Sequence, residues 1–197
     1  MEVRLVFLDT HRIDMDALFA SPYLSGEEIE SLRRYKVQES FYEKIASQYL
    51  KNKYVGAYTI SEHGKPISDS CFFNISHSKG LVVLAIGERS IGVDIEKIRP
   101  ISEELKRHVT SEEEYEAMKG DSDFFRIWTN KESLLKALGK GIDRLLREVP
   151  GLPFDGVRAI DEVLFSSRTL SYGEYILSVA LEGINTFEIN ASVEDVY

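Results

Sequence analysis

Thirty-three acidic residues against 24 basic ones give this 197-residue chain a formal charge of −9, with 43% hydrophobic and 29% charged residues. At roughly 100–200 residues per domain, that is one large domain or two small lobes, able to bury about 70% of the unfolded surface without a disulfide or metal staple. The balance excludes collagen-like, disordered and disulfide-rich classes, and an acidic chain without a long basic run is a poor nucleic-acid binder.

Cys71 stands alone, so no internal disulfide is expected and a reducing, cytoplasmic setting is the natural reading. Met1-Glu2-Val3-Arg4-Leu5 lacks the basic start and apolar block of a secretory leader. The longest apolar stretch, 81–86, falls far short of the roughly 20 residues of a membrane span.

In chain order, residues 4–8 read as a short apolar strand ended by Asp9. From 25 to 51, apolar residues recur at Ile29, Leu32, Tyr35, Phe41, Ile45 and Tyr49, predicting a helix that opens on the capping box Ser25-x-x-Glu28. Strands follow at 57–60, 72–76, 81–86 and 92–96, punctuated by Gly64 and Pro66. Ser111 followed by three acids opens a short helix, because carboxylates suit the positive end of the helix dipole. The strongest helix covers 124–138 and is closed by Gly139. Strands at 163–165, 175–181 and 186–189 complete the chain. Helix-then-strands occurring twice predicts an α+β fold of two lobes, 1–90 and 91–197.

Asp94 and Glu96 lie two apart in a strand, so both carboxylates share a face while Val93 and Ile95 face a core. That spacing suits a solvated strand face, or a Mg²⁺ site that combines one or two carboxylates with phosphate oxygens. Trp128, Glu132 and Lys136 form one helical stripe, either an ordinary surface pair or a third carboxylate with a phosphate contact. Ser76 and His77 end a strand and suit either a turn or an anion site. A serine hydrolase is disfavoured because no Gly-x-Ser-x-Gly elbow exists. Gly139-Lys140-Gly141 follows a helix and precedes Ile142, so it is not a P-loop. Basic clusters at Arg33, Arg34 and Lys36, at Lys65, and at Lys97, Arg99, Lys106 and Arg107 complete the inventory of a site for a polyphosphate and a divalent ion.

Four segments in order then carry a resemblance. They are Gly64-Lys65-Pro66, Phe73-Asn74-Ile75-Ser76-His77-Ser78, Gly92-Val93-Asp94-Ile95-Glu96-Lys97, and the run from Trp128-Thr129-Asn130-Lys131-Glu132-Ser133 to Gly139-Lys140-Gly141. Over residues 64–141 the chain resembles the 4′-phosphopantetheinyl transferases, specifically the two-lobed monomeric type that activates peptide and polyketide synthases. The resemblance implies two pseudo-symmetric α+β lobes with coenzyme A in the cleft between them. It implies transfer of the phosphopantetheine arm to a serine of an acyl or peptidyl carrier protein, with release of adenosine 3′,5′-bisphosphate.

Carried over by position, Asp94, Glu96 and Glu132 would hold Mg²⁺ or Mn²⁺, with Glu132 also the base for the carrier serine. Lys136 would contact the pyrophosphate, and Lys65, Ser76 and His77 would grip the nucleotide and its 3′-phosphate. In one departure, Glu43 stands where the family often carries Arg. Lys44 points about 100° around the helix, leaving Lys36, Arg33 or Arg34 to substitute. Lys97, Arg99, Lys106 and Arg107 would form a docking patch for an acidic carrier protein. Two other activities use the same residues: a relative that binds coenzyme A or a carrier without transfer, and a metal-dependent hydrolase of nucleotide pyrophosphates.

Overall fold

β1 (Glu2–Asp9) buries alternate residues on opposite faces, which sets the layering of the molecule. Val3, Leu5 and Phe7 enter one core, whereas Val6 and Leu8 enter another. In this computed structural model, which describes residues 1–139, 146–183 and 186–196, β1 lies inside a four-stranded sheet ordered β10-β1-β5-β4. Its partners are β4 (Phe72–Ser78), β5 (Leu81–Gly87) and β10 (Glu188–Val193). β4 and β5 form an antiparallel hairpin, while β10 pairs with β1 in parallel, Glu2 opposite Glu188. A small hairpin of β2 (Thr59–Ile60) and β3 (Pro66–Ile67) stands beside it. A second sheet has the order β6-β9-β8-β7, from β6 (Ile91–Lys97), β7 (Gly156–Ile160), β8 (Val163–Tyr172) and β9 (Tyr175–Glu182).

Helices cover the outer faces. α1 (Met15–Phe19), α2 (Gly26–Leu32) and α3 (Gln38–Tyr54) lie over the first sheet, where Leu18, Ile45 and Leu50 meet Val6, Leu8, Val82 and Leu84. α6 (Asp121–Leu138) lies over the second, following the short α4 (Glu103–Val109) and α5 (Glu112–Ala117). The inner faces share one core of Val3, Leu5, Val83, Val93, Ile95, Val179 and neighbours, each large aliphatic burial contributing about 1.5–3 kcal/mol. The architecture is α+β in layers of helix, sheet, sheet and helix.

The helix expected over 25–51 is two helices broken at 33–37. Leu32 and Phe41 are nine residues apart, which on an unbroken helix is about half a turn out of phase. Both pack on the same core, so the chain must turn between them. The Ser25–Glu28 capping box, the Ser111 cap and the left-handed Gly139 cap form as expected, and Glu114 completes a second capping box with Ser111. β8 is ten residues long rather than three, because Ser166, Ser167 and Thr169 are buried through hydrogen bonds and leave no apolar signature. Lys140 and Gly141 lie outside the described residues.

Candidate functional site

β6 is the edge of its sheet, so alternate N–H groups point away from its partner β9. Left bare in the interior, each would cost a hydrogen bond. The polar face of β4 closes them. Val93 N–H donates to Asn74 Oδ1 at 3.0 Å, Ile95 N–H to Ser76 Oγ at 3.4 Å and Lys97 N–H to Ser78 Oγ at 3.3 Å. The same hydroxyls then donate to the acids of β6, Ser76 to Asp94 Oδ1 at 2.9 Å and Ser78 to Glu96 Oε2 at 2.8 Å. Asn74-x-Ser76-x-Ser78 therefore joins the two sheets and aims both carboxylates.

α6 brings the third acid. A Cβ on Gly92 would lie 1.9 Å from Ser133 O and 2.4 Å from Ala137 N, so only glycine lets this helix rest backbone to backbone on β6. Glu132 and Lys136, four residues apart, then share the stripe facing Asp94. Lys136 Nζ lies 2.6 Å from Asp94 Oδ1 and 3.2 Å from both Ser76 Oγ and Val93 O. Glu132 is 7% exposed, and burial together with the nearby Asp94 and Glu96 charges pushes its carboxyl up to about 7, against the pull of Lys136. Burial also raises Asp94, with Lys136 opposing.

Asp94 Oδ2 is buried without a hydrogen-bond partner among the described residues. Hard oxygen donors, one of them orphaned, fit a divalent cation of the Mg²⁺ or Mn²⁺ type. Among the described residues no three acids, histidines or cysteines already stand gathered as a metal cage. Lys136 holds Asp94, and Arg99 holds Glu96 at 2.8 Å.

The other expected residues fall in four places. Lys65 and Lys136 line a cavity of about 300 Å³ with Gly64, Asn74, Leu135 and Gly139. There Lys65 Nζ donates to Ala137 O at 3.0 Å and Ser90 Oγ at 3.2 Å, satisfying the end of α6, and burial draws its pKa down to about 8. Arg33 and Lys36 line a separate cavity of about 350 Å³ with Phe19, Tyr35, Phe41 and Tyr42, and Arg33 pairs with Glu30 at 2.9 Å. His77 alternates with Ser76 along β4, so it faces α3 while Ser76 faces β6. It meets Glu43 there, and Lys44, expected to point away, reaches its ring at 2.9 Å. In the basic patch Lys97 pairs with Glu174, and Lys106 with Glu103 and Asp121; Arg107 stacks on Tyr115 at 4.1 Å.

Sequence reasoning gave Asn74 and Ser78 no role of their own and read Glu43 only as a departure, not as the partner of His77. Hydrogen-bonding side chains at every second position of a strand, Asn74, Ser76 and Ser78 with Ile75 and His77 between them, were the available signal for the first two. An acid on the Ala46–Leu50 stripe of α3 was the signal for Glu43.

The model of the 4′-phosphopantetheinyl transferase superfamily matches residues 90–175, which include Asp94, Glu96, Glu132 and Lys136. Among curated proteins, the chain is similar to 4′-phosphopantetheinyl transferase gsp of Aneurinibacillus migulanus, 33% identical over 141 residues, which is 63% of this chain and 60% of that protein. It is 34% identical to 4′-phosphopantetheinyl transferase Sfp of Bacillus subtilis (strain 168) over 139 residues, 61% of this chain and 62% of the relative. HetI of Nostoc sp., another 4′-phosphopantetheinyl transferase, is 33% identical over 147 residues, 62% of each chain. The chain thus spans about three fifths of the length of these relatives. Taken with the acids that β4, β6 and α6 bring together, these matches lead to one conclusion: over residues 90–175 and across three fifths of its curated relatives, the chain is similar to the 4′-phosphopantetheinyl transferase superfamily.

Proposed function

We propose that the chain transfers the 4′-phosphopantetheine arm of coenzyme A to a serine of an acyl or peptidyl carrier protein, releasing adenosine 3′,5′-bisphosphate. The observation that carries this reading is the incomplete acid set: three carboxylates in one electrostatic neighbourhood, one oxygen orphaned and one carboxyl raised to about 7. The two sheets with their helices are proposed as the two lobes, with a single chain acting as a monomer. The described residues contain no helix long and apolar enough to cross a membrane.

Asp94, Glu96 and Glu132 would hold Mg²⁺ or Mn²⁺, which supplies charge neutralisation to the pyrophosphate. The chain's own residues do the remainder. Lys136, already 27% exposed, donates to a pyrophosphate oxygen and offsets charge on the departing bisphosphate. Glu132 accepts the proton of the carrier serine as its oxygen bonds to the β-phosphorus and the bond to the bisphosphate breaks. A carboxylate, ionised when the cation is bound, is the proton acceptor that an alkyl hydroxyl needs. Arg107, which makes no salt bridge among the described residues and feels Glu103 only at longer range, is the cation of the basic patch most available to an acidic carrier.

Intact-mass spectrometry of apo carrier proteins with coenzyme A and Mg²⁺ tests the reading. The expected result is a phosphopantetheine mass gain on the carrier that is lost with chelator and with Glu132→Ala. Coenzyme A binding without transfer would point to a non-catalytic relative, and cleavage of coenzyme A without carrier to a hydrolase. Arg107→Glu should raise the KM for carrier and leave that for coenzyme A unchanged.

A further inference from the structure

Asp94 and Glu96 are each held on one oxygen only, by a serine of β4 and a cation. Asp94 Oδ1 accepts from Ser76 Oγ at 2.9 Å and from Lys136 Nζ at 2.6 Å, while Oδ2 accepts from none of the described residues. Glu96 Oε2 accepts from Ser78 Oγ and from Arg99 Nη1, each at 2.8 Å, while Oε1 has no hydrogen bond among the described residues. Although its side chain is 42% exposed, Arg99 is fixed from two other sides. The same Nη1 donates to Lys97 O at 3.0 Å, and the guanidinium carbon lies 4.8 Å from the centre of the Phe125 ring, which is buried on α6. An exposed arginine that met nothing but an acid would swing with it. This one is anchored to the backbone of β6 and to the helix that carries Glu132, so it can hold the acid still.

We infer that Arg99 is a positioning residue that, with Ser78, leaves Glu96 a single oxygen for a metal ion, as Lys136 and Ser76 do for Asp94, and that these clamps select a small octahedral cation over Ca²⁺. Mg²⁺ demands a near-ideal octahedron of short bonds, and Mn²⁺ shares that preference. One oxygen from each acid meets it. Ca²⁺ has longer bonds and about six to eight ligands, and it fills its larger shell partly by taking both oxygens of a carboxylate. A carboxylate whose second oxygen is already bonded to a hydroxyl and a guanidinium does not turn to offer both. Each clamp therefore removes one way of completing a Ca²⁺ shell and leaves the octahedral ion unaffected. The inference rests on the divalent-cation reading above. It gives Arg99, which the sequence placed only in a docking patch, a part in metal specificity.

Metal binding to the full chain with coenzyme A present tests this, with coenzyme A alone as the blank. Mn²⁺ is followed by the electron paramagnetic resonance signal of the free ion, and Ca²⁺ by its displacement of Mn²⁺. The readout is the ratio of the two affinities, in which a change of protein charge cancels because both ions are divalent. Arg99→Leu should lower the preference for Mn²⁺ by about tenfold or more, the scale of removing a partner that orients a metal ligand. Ser78→Ala, which keeps Arg99, should shift the ratio in the same direction. Arg99→Lys, which keeps a donor, should retain part of the preference. An unchanged ratio in all three variants would overturn the clamp and leave the metal reading intact. So would a tightening of both ions by one factor in Arg99→Leu, since loss of a nearby positive charge alone produces that. Coenzyme A binding by the wild type with no Mn²⁺ taken up beyond the blank would remove the metal reading and the clamp with it.

Discussion

α6 carries two lysine–acid pairs one turn and a half apart, and they are built to opposite specifications. Lys131 and Glu114 meet at 2.6 Å, and so do Lys136 and Asp94. Around the first pair nothing is left over. Lys131, fully buried, spends its three donors on Glu114, Val109 O and Leu146 O, while Glu114 also accepts Ser111 N–H and Gly151 N–H. Around the second, Asp94 Oδ2 has no partner among the described residues, and Glu132 feels neighbouring charges without a hydrogen bond to any of them. Equal ion-pair length thus says little about role. The distinction lies in whether every remaining lone pair is answered, because a buried charge is tolerated only when its whole hydrogen-bonding capacity is met.

The sharpest way to break that contrast is Lys131→Met, which strands Glu114 in the interior. We expect a loss of about 3–5 kcal/mol in urea unfolding. Lys131→Met with Glu114→Leu should recover part of it, and no recovery would mean that the pair does more than satisfy itself. Next comes pH. Glu132 titrates at about 7 in the folded chain against an ordinary value of 4.5. Between those values the folded state binds more protons than the unfolded one, so stability falls as pH rises from 4.5 through 7. With chelator present, Glu132→Gln should remove roughly 2–3 kcal/mol of that decline, measured by unfolding at pH 5 and pH 8. Lys136→Met should cost only about 1–2 kcal/mol, since the site is partly open and Asp94 can take up a proton instead. The same change should lower the transfer rate about 100-fold or more, the scale of removing one donor from a developing charge. Smallest is Ser78→Ala, about 1 kcal/mol, which frees Glu96 and leaves Lys97 N–H unanswered. Weakened Mg²⁺ affinity by calorimetry in this variant would show the serine orienting the acid.

The site was legible where chemistry repeats at a fixed period. A two-residue spacing put Asp94 and Glu96 on one face, and a four-residue spacing put Glu132 and Lys136 on one stripe. Period two also separates Ser76 from His77, so reading them as one anion grip required the strand to be seen from both sides. In the fold, α6 announced itself through its apolar stripe and Gly139. The break in the long N-terminal helix was hidden because Tyr35 fills the phase gap between Leu32 and Phe41. Buried polar strands such as β8, and the pairing of β10 with β1, leave no local trace, since their partners are distant in the chain.

That last pairing also sets an order of events during synthesis. β1 leaves the ribosome well before β10, which completes one of its edges only 186 positions later by the Glu2–Glu188 register. At about 5–20 residues per second, the edge waits roughly 10–40 s for its partner, with Val3, Leu5 and Phe7 ready to pair with any passing strand. Glu194 then ties the arriving strand down by accepting from Lys53, Tyr49 and Tyr54 of α3. A nascent chain stalled before β10 is therefore the form in which this protein is most exposed to aggregation.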